Sequence, residues 1–115
     1  MPVNQYKQGR INEEFKRVLA RILPEVKDPR IPAMPTIVSV EVSGDLKYAK
    51  VYLSFLDAYD EREVRQGLKA VSGFLRHRLG EELQFRVVPE LVFVLDHSLE
   101  QGMRIHSILK DLNED

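Results

Sequence analysis

The sequence predicts a small α+β domain: a three-stranded mixed sheet with helices packed on one face. Three observations carry this prediction. Residues 36–43 and 49–56 alternate apolar and polar side chains across a short turn. Residues 6–23 and 60–80 instead repeat apolar side chains every three or four positions. A third apolar run, residues 90–95, follows the long helical stretch, so its strand must reach the sheet by a crossover.

The bulk composition fits such a domain. At 115 residues the chain forms one domain, residues 1–115, with an ordered core expected over about 6–112. A chain of this size buries roughly two thirds of its unfolded surface and needs neither disulfide nor metal to fold. There is no cysteine, which excludes a disulfide scaffold, a thiolate metal site and a cysteine nucleophile. No apolar run reaches the length of a membrane span and no charged-then-apolar leader opens the sequence, so a cytoplasmic protein is expected.

The first helix is expected over residues 6–23. Ile11, Phe15, Val18, Leu19 and Ile22 share one face, and Arg10, Glu14, Arg17 and Arg21 share another. The second set suits either an ion-pair ladder along the helix or contact with phosphates. Pro24 ends the helix. The next stretch, K-D-P-R-I-P-A-M-P, holds three prolines in nine residues and reads as an extended, semi-rigid connector. Arg30 is its candidate for function by charge.

In the two strands of the predicted hairpin, Val38, Val40 and Val42 face one way, then Ala49, Val51, Leu53 and Phe55. Ser39 and Glu41, and on the second strand Lys50, Tyr52 and Ser54, face the other. S-G-D-L between the strands supplies turn chemistry. One-sided strands predict a sheet with one face on helices and one face open to water or a partner.

Asp60 is a good N-cap, and Glu63 completes a capping-box pattern for the helical stretch 60–80. Val64, Leu68, Val71, Leu75 and Leu79 form its apolar stripe. Arg62, Arg65, Lys69 and Arg76 form a basic stripe about 120° round from it. Two glycines interrupt the pattern, and Gly80 sits where a C-cap glycine would. Gly67 reads as close packing. Gly73, opposite the apolar stripe and beside Ser72, reads as a kink that opens backbone N–H groups toward an external anion. After Pro89 a third strand is expected at 90–95. Ser98 with Gln101 then caps a last helix to about 112, whose apolar face is Ile105, Ile108, Leu109 and Leu112.

The net charge of −1 hides an asymmetry. Residues 1–30 hold seven Lys/Arg against four Asp/Glu, and residues 62–80 hold five against one. Residues 87–115 hold two against six. Such segregation suits one-sided binding to a phosphate backbone. Catalysis finds no support. His77, His97 and His106 are isolated and form no metal-ligand spacing, and no phosphate-binding glycine loop occurs. Ser72-Gly73 lacks the nucleophile-elbow pattern. Glu13-Glu14 and Glu81-Glu82 are adjacent and so face different directions on a helix. The chain is expected to be no enzyme, to hold no cofactor and to bind no metal.

Six stretches carry a family resemblance: D-P-R-I at 28–31, V-S-G-D-L at 42–46, A-K-V-Y-L-S at 49–54, G-F-L-R at 73–76, R-V-V-P-E-L-V-F at 86–93 and D-H-S-L-E-Q-G-M-R-I at 96–105. In order and spacing, from about residue 6 to 109, the chain resembles ribosome-binding factor A. The resemblance implies a single type II KH-like domain, in the order helix, strand, strand, kinked helix pair, strand, helix. The family's Ala-x-Gly kink falls on Val71-Ser72-Gly73, where valine replaces alanine.

It further implies a non-catalytic assembly factor. Such a factor binds the immature small (30S) ribosomal subunit and its 16S ribosomal RNA, and supports late maturation and 5′-end processing, including in the cold. A ribosome-associated GTPase or an initiation factor is a candidate for promoting its release, and the free protein is expected to be a monomer. The RNA-binding residues expected are Arg62, Arg65, Lys69, Ser72, Gly73, Arg76 and Arg78, with Arg10, Arg17 and Arg30 beyond that helix. Two other functions remain open: a KH-like module for other RNAs, and a protein-binding module using the open sheet face around Lys50, Tyr52 and Ser54.

Overall fold

The computed structural model describes residues 5–85 and 87–97. Helix α1 spans Gln5–Ile22, and a single 3₁₀ turn, Leu23–Glu25, follows with Pro24 inside it. Strands β1 (Thr36–Val42) and β2 (Tyr48–Ser54) form an antiparallel hairpin. Helix α2 (Glu61–Glu82) then leads to β3 (Glu90–Leu95), which pairs with β2 in parallel. The sheet is mixed, in the order β1-β2-β3. This is the predicted α+β arrangement, and it is consistent with a KH-like domain. The last helix expected at 98–112 lies outside the described residues.

One face of the sheet receives both helices. Phe15, Leu19 and Ile22 of α1 and Val64, Leu68, Leu75 and Leu79 of α2 are buried with Val40, Val51, Leu53 and Leu91 of the sheet. The periodicity predicted for both helices therefore selects the residues that meet the core. Asp60 caps α2 as expected: its Oδ1 accepts from the N–H groups of Arg62, at 2.9 Å, and Glu63, at 3.2 Å.

Four expectations need correction. Residues 60–80 form one helix rather than two. Helical hydrogen bonding runs through Ser72 and Gly73, and no described glycine has a positive φ. Glycine lowers helix propensity by only about 1 kcal/mol, less than the burial of Leu68, Leu75 and Leu79 around it supplies. Nor does Gly80 cap the helix. It lies inside α2, where a Cβ would come 3.2 Å from Val88 Cγ2, and Leu83 closes the helix by donating its N–H to Leu79 O at 2.7 Å.

In β1 the register shifts between Ile37 and Ser39, so Ile37 rather than Val38 is buried with Val40 and Val42. A bulge adds a residue to one strand and reverses the alternation beyond it. Finally, Ser54 is fully buried, with no hydrogen-bond partner for its Oγ among the described residues. Leu53, Ser54 and Phe55 are all buried, because a chain leaving a sheet no longer alternates between its faces. The open sheet face therefore keeps Lys50 and Tyr52 but not Ser54.

The hairpin turn is built by Ser43, Gly44, Asp45 and Leu46. Leu46 donates its N–H to Ser43 O at 2.9 Å, and Ser43 Oγ accepts from Tyr48 N at 3.0 Å. Leu46 itself adopts a positive φ of 62°.

Candidate nucleic-acid interface

Helix α2 and the edge strand β3 enclose a cleft of about 270 Å³. Arg65, Lys69, Ser72 and Arg76 line it from the helix, at the i, i+3 and i+4 spacing that stacks side chains on one face. Leu68, Leu91 and Phe93 supply apolar surface. Of the ten residues expected to contact RNA, these four are brought together in one concavity.

Their availability differs. Lys69 makes no ion pair among the described residues. Arg65 pairs with Glu61 at 3.1 Å, but both side chains are 54% exposed, and an exposed i, i+4 pair is weak enough for a phosphate to displace it. Arg76 is half-buried. Its Nη2 donates to Val88 O at 2.9 Å, and its Nε is buried without a partner. Arg76 thus ties the segment before β3 to α2 while lining the cleft.

Arg62 opens the same stripe, exposed at the first turn of α2. Gly73 lies beside Ser72 on the outer surface, and a Cβ there would have nothing within 4 Å. Among the described residues no neighbour requires glycine at that position. By contrast, a Cβ at Gly67 would come 2.9 Å from Ile31 Cγ1, the close packing expected of it.

The remaining candidates stand apart from the cleft. Arg78 lies on the opposite flank of α2, bound to Glu25 through Nε, at 3.1 Å, and Nη2, at 2.9 Å. Its Nη1 also reaches Glu81 and Glu82, at 3.4 and 3.5 Å. The hydrogen bonds from Arg78 hold the Glu25 carboxyl below its ordinary pKa, and Glu25 raises that of Arg78. Arg30 forms a fork on Asp28: Nε donates to Oδ1 at 3.0 Å and Nη2 to Oδ2 at 2.7 Å. These bonds, with that from Arg30 N, hold the Asp28 carboxyl down at about 2. Arg10 and Arg17 belong to α1, which packs over β1 at the other edge of the sheet from β3. Arg21, read as part of a ladder along α1, instead pairs with Glu82 of α2 at 2.6 Å.

Glu90, the first residue of β3, also lines the cleft. Sequence reasoning passed over it because a lone glutamate after Pro89 has no periodic signal. Among the described residues no three His, Asp or Glu side chains gather to hold a metal ion, and no helix is long and apolar enough to cross a membrane.

The family model described as "Ribosome-binding factor A" matches residues 7–109. The chain belongs to the ribosome-binding factor A family. A ribosome-binding factor A from Caldanaerobacter subterraneus subsp. tengcongensis is 47% identical over 112 residues, covering 96% of this chain and 92% of that one. The crystal structure of ribosome-binding factor A from Thermus thermophilus superposes with a TM-score of 0.69 at 24% identity, covering 76% of this chain and 93% of that one. A homology model of the Thermus thermophilus factor, fitted into a cryo-electron-microscopy map of a 30S complex, gives a TM-score of 0.62 at 25% identity. It covers 75% of this chain and 91% of that one.

The motifs that suggested the ribosome-binding factor A family have separable places in the fold. D-P-R-I packs on Gly67, V-S-G-D-L makes the hairpin turn, and G-F-L-R supplies Gly73 and Arg76. R-V-V-P-E-L-V-F supplies the Val88 carbonyl and β3. From Ser98 onward the last motif lies outside the described residues.

Proposed function

We propose that the protein, as a member of this family, binds the immature small ribosomal subunit through its 16S RNA, using the cleft side of α2. The observation that carries this reading is the convergence of Arg65, Lys69, Ser72 and Arg76 in one concavity beside an exposed Gly73. Arg62, Arg65 and Lys69 meet phosphate oxygens, and Ser72 and Gly73 let the RNA backbone approach the helix. Phosphate contacts of this kind position a folded RNA and carry little base information, so its shape supplies the discrimination. The related Thermus thermophilus factor, fitted in a 30S complex, supports the same partner.

The protein acts without catalysis. It supports late maturation and 5′-end processing of the precursor, including at low temperature, and acts as a monomer whose release a GTPase or initiation factor promotes. The test is co-sedimentation with immature small subunits across a salt series. Wild type co-sediments at low salt and is lost as salt rises, whereas Arg65→Glu with Lys69→Glu fails at every salt concentration while remaining folded. Binding by that double variant at wild-type strength would refute the proposed face.

A further inference from the structure

A second cavity, of about 610 Å³, opens under the connector between α1 and β1. Its walls are aliphatic, with Leu23, Ile31 and Ile37 backed by Pro24, Pro32 and Pro35. The connector is braced by its own residues. Its prolines fix their own φ, the Asp28–Arg30 fork braces it, and Ile31 is seated on Gly67. A largely apolar concavity of this size falls within the range of ligand-binding clefts, of which a protein has few.

Met34 stands at its lip, 89% exposed, at a φ of 57° directly before Pro35. Non-glycine residues rarely adopt that conformation, and unbranched methionine adapts well to an incoming surface. Three cations stand near the opening, against the exposed carboxylates of Glu13 on the same face of α1 and Glu63 beside Arg30. Lys27 lines the cavity, and Lys16 and Arg17 stand one turn before the lining residue Ala20 on α1. None of these three cations has an ion pair among the described residues. Two nearby carboxylates are already engaged, Asp28 by Arg30 and Glu25 by Arg78.

We propose that this cavity docks an apolar anchor side chain carried on an acidic segment of a partner protein. A nucleobase is a poor fit, because unpaired bases are held by stacking on aromatic rings or guanidinium planes, and the lining offers neither. A rigid apolar pocket edged by unpaired cations suits a single buried anchor with acidic flanks, at little cost in ordering. The site lies on the connector side of α2, so it operates independently of RNA binding in the cleft.

The test is a methyl-resolved NMR titration of the full chain, labelled at isoleucine and methionine methyls. The probes are the peptide acetyl-Glu-Asp-Trp-Leu-Glu-Asp-amide, its lysine-flanked counterpart acetyl-Lys-Lys-Trp-Leu-Lys-Lys-amide, and oligouridylate. The acidic peptide is expected to shift the methyls of Ile31, Met34 and Ile37 saturably, and the other two probes to leave them in place. Ala20→Glu, at an exposed helix position, and Lys27→Glu should each abolish the shifts without disturbing the rest of the spectrum. The proposal fails if the acidic peptide moves none of these methyls, if the lysine-flanked peptide matches it, or if oligouridylate moves them. It fails equally if Ile105 or Ile108 shows nuclear Overhauser contacts to Ile31 or Ile37, which would make the chain's own end the occupant.

Discussion

Ile31 rests on the backbone of α2 at Gly67, so closely that a Cβ there would stand 2.9 Å from Ile31 Cγ1 and 3.2 Å from Arg30 Cβ. Contacts under 3.0 Å force a shift, and neither atom is the loose end of a side chain. Gly67→Ala would gain up to about 1 kcal/mol of helix propensity against an overpacking cost of roughly 1–3 kcal/mol. The net expectation is a loss of about 1 kcal/mol, seen as a lower urea midpoint with an unchanged slope. A Gly67→Ala protein as stable as wild type would mean that the connector moves away freely.

Gly73 predicts the opposite sign. With nothing within 4 Å of its would-be Cβ, Gly73→Ala should stabilise the protein by about 0.5–1 kcal/mol. If glycine is kept there for the approach of RNA, the more stable protein should bind small subunits less well, a trade of stability against function. A variant that gains stability and keeps full binding would remove Gly73 from the site.

These two glycines mark what was legible in the sequence. The helical spacing around them is local and was readable, as was β3, whose predicted range of 90–95 matches the strand found. Local periodicity could not reveal the bulge at Val38, which reverses the phase of β1 at its start. Nor could it reveal Arg78 with Glu25, whose positions differ by 53 in the chain. In α2 the basic stripe was visible, but which cations are free depends on carboxylates brought in from elsewhere, and that is a property of the fold.

Acid should loosen the connector in a defined window. The Arg30 hydrogen bonds hold the Asp28 carboxyl at about 2, below its ordinary range near 3.9. A carboxyl depressed by folding contributes stability that is complete above its unfolded pKa and is lost as pH falls through its folded one. Wild type should therefore exceed Asp28→Asn in stability by a constant margin near neutral pH, and the margin should close between about pH 4 and pH 2. A margin independent of pH down to about 2 would show that the fork contributes through shape alone.

The free edge of β1 is protected by α1. Val42 N–H donates to Asn12 Oδ1 at 2.9 Å, and Gln8 Nε2 donates to Val42 O. Unpaired edge groups invite pairing with another chain, and two side chains from the helix cover this pair. Asn12→Ala leaves the Val42 N–H without its acceptor and should cost about 1–2 kcal/mol. Hydrogen exchange should show Val42 losing protection first, with the amides of α2 unchanged.

Arg78 and the pair Arg65 with Lys69 separate binding from folding. Arg78 is only 24% exposed and joins α2 to the turn after α1 through Glu25. Arg78→Ala should lower the melting temperature and leave the salt dependence of small-subunit binding as it was. Arg65→Ala with Lys69→Ala should do the reverse. Both side chains lie in the cleft, and among the described residues neither makes an ion pair beyond the exposed one of Arg65 with Glu61. Every phosphate that goes unneutralised should flatten the slope of log affinity against log salt by roughly 0.7–0.9. Should Arg78→Ala flatten the slope while the double variant does not, the RNA would meet the opposite flank of α2, the side that carries Gly67 and the connector.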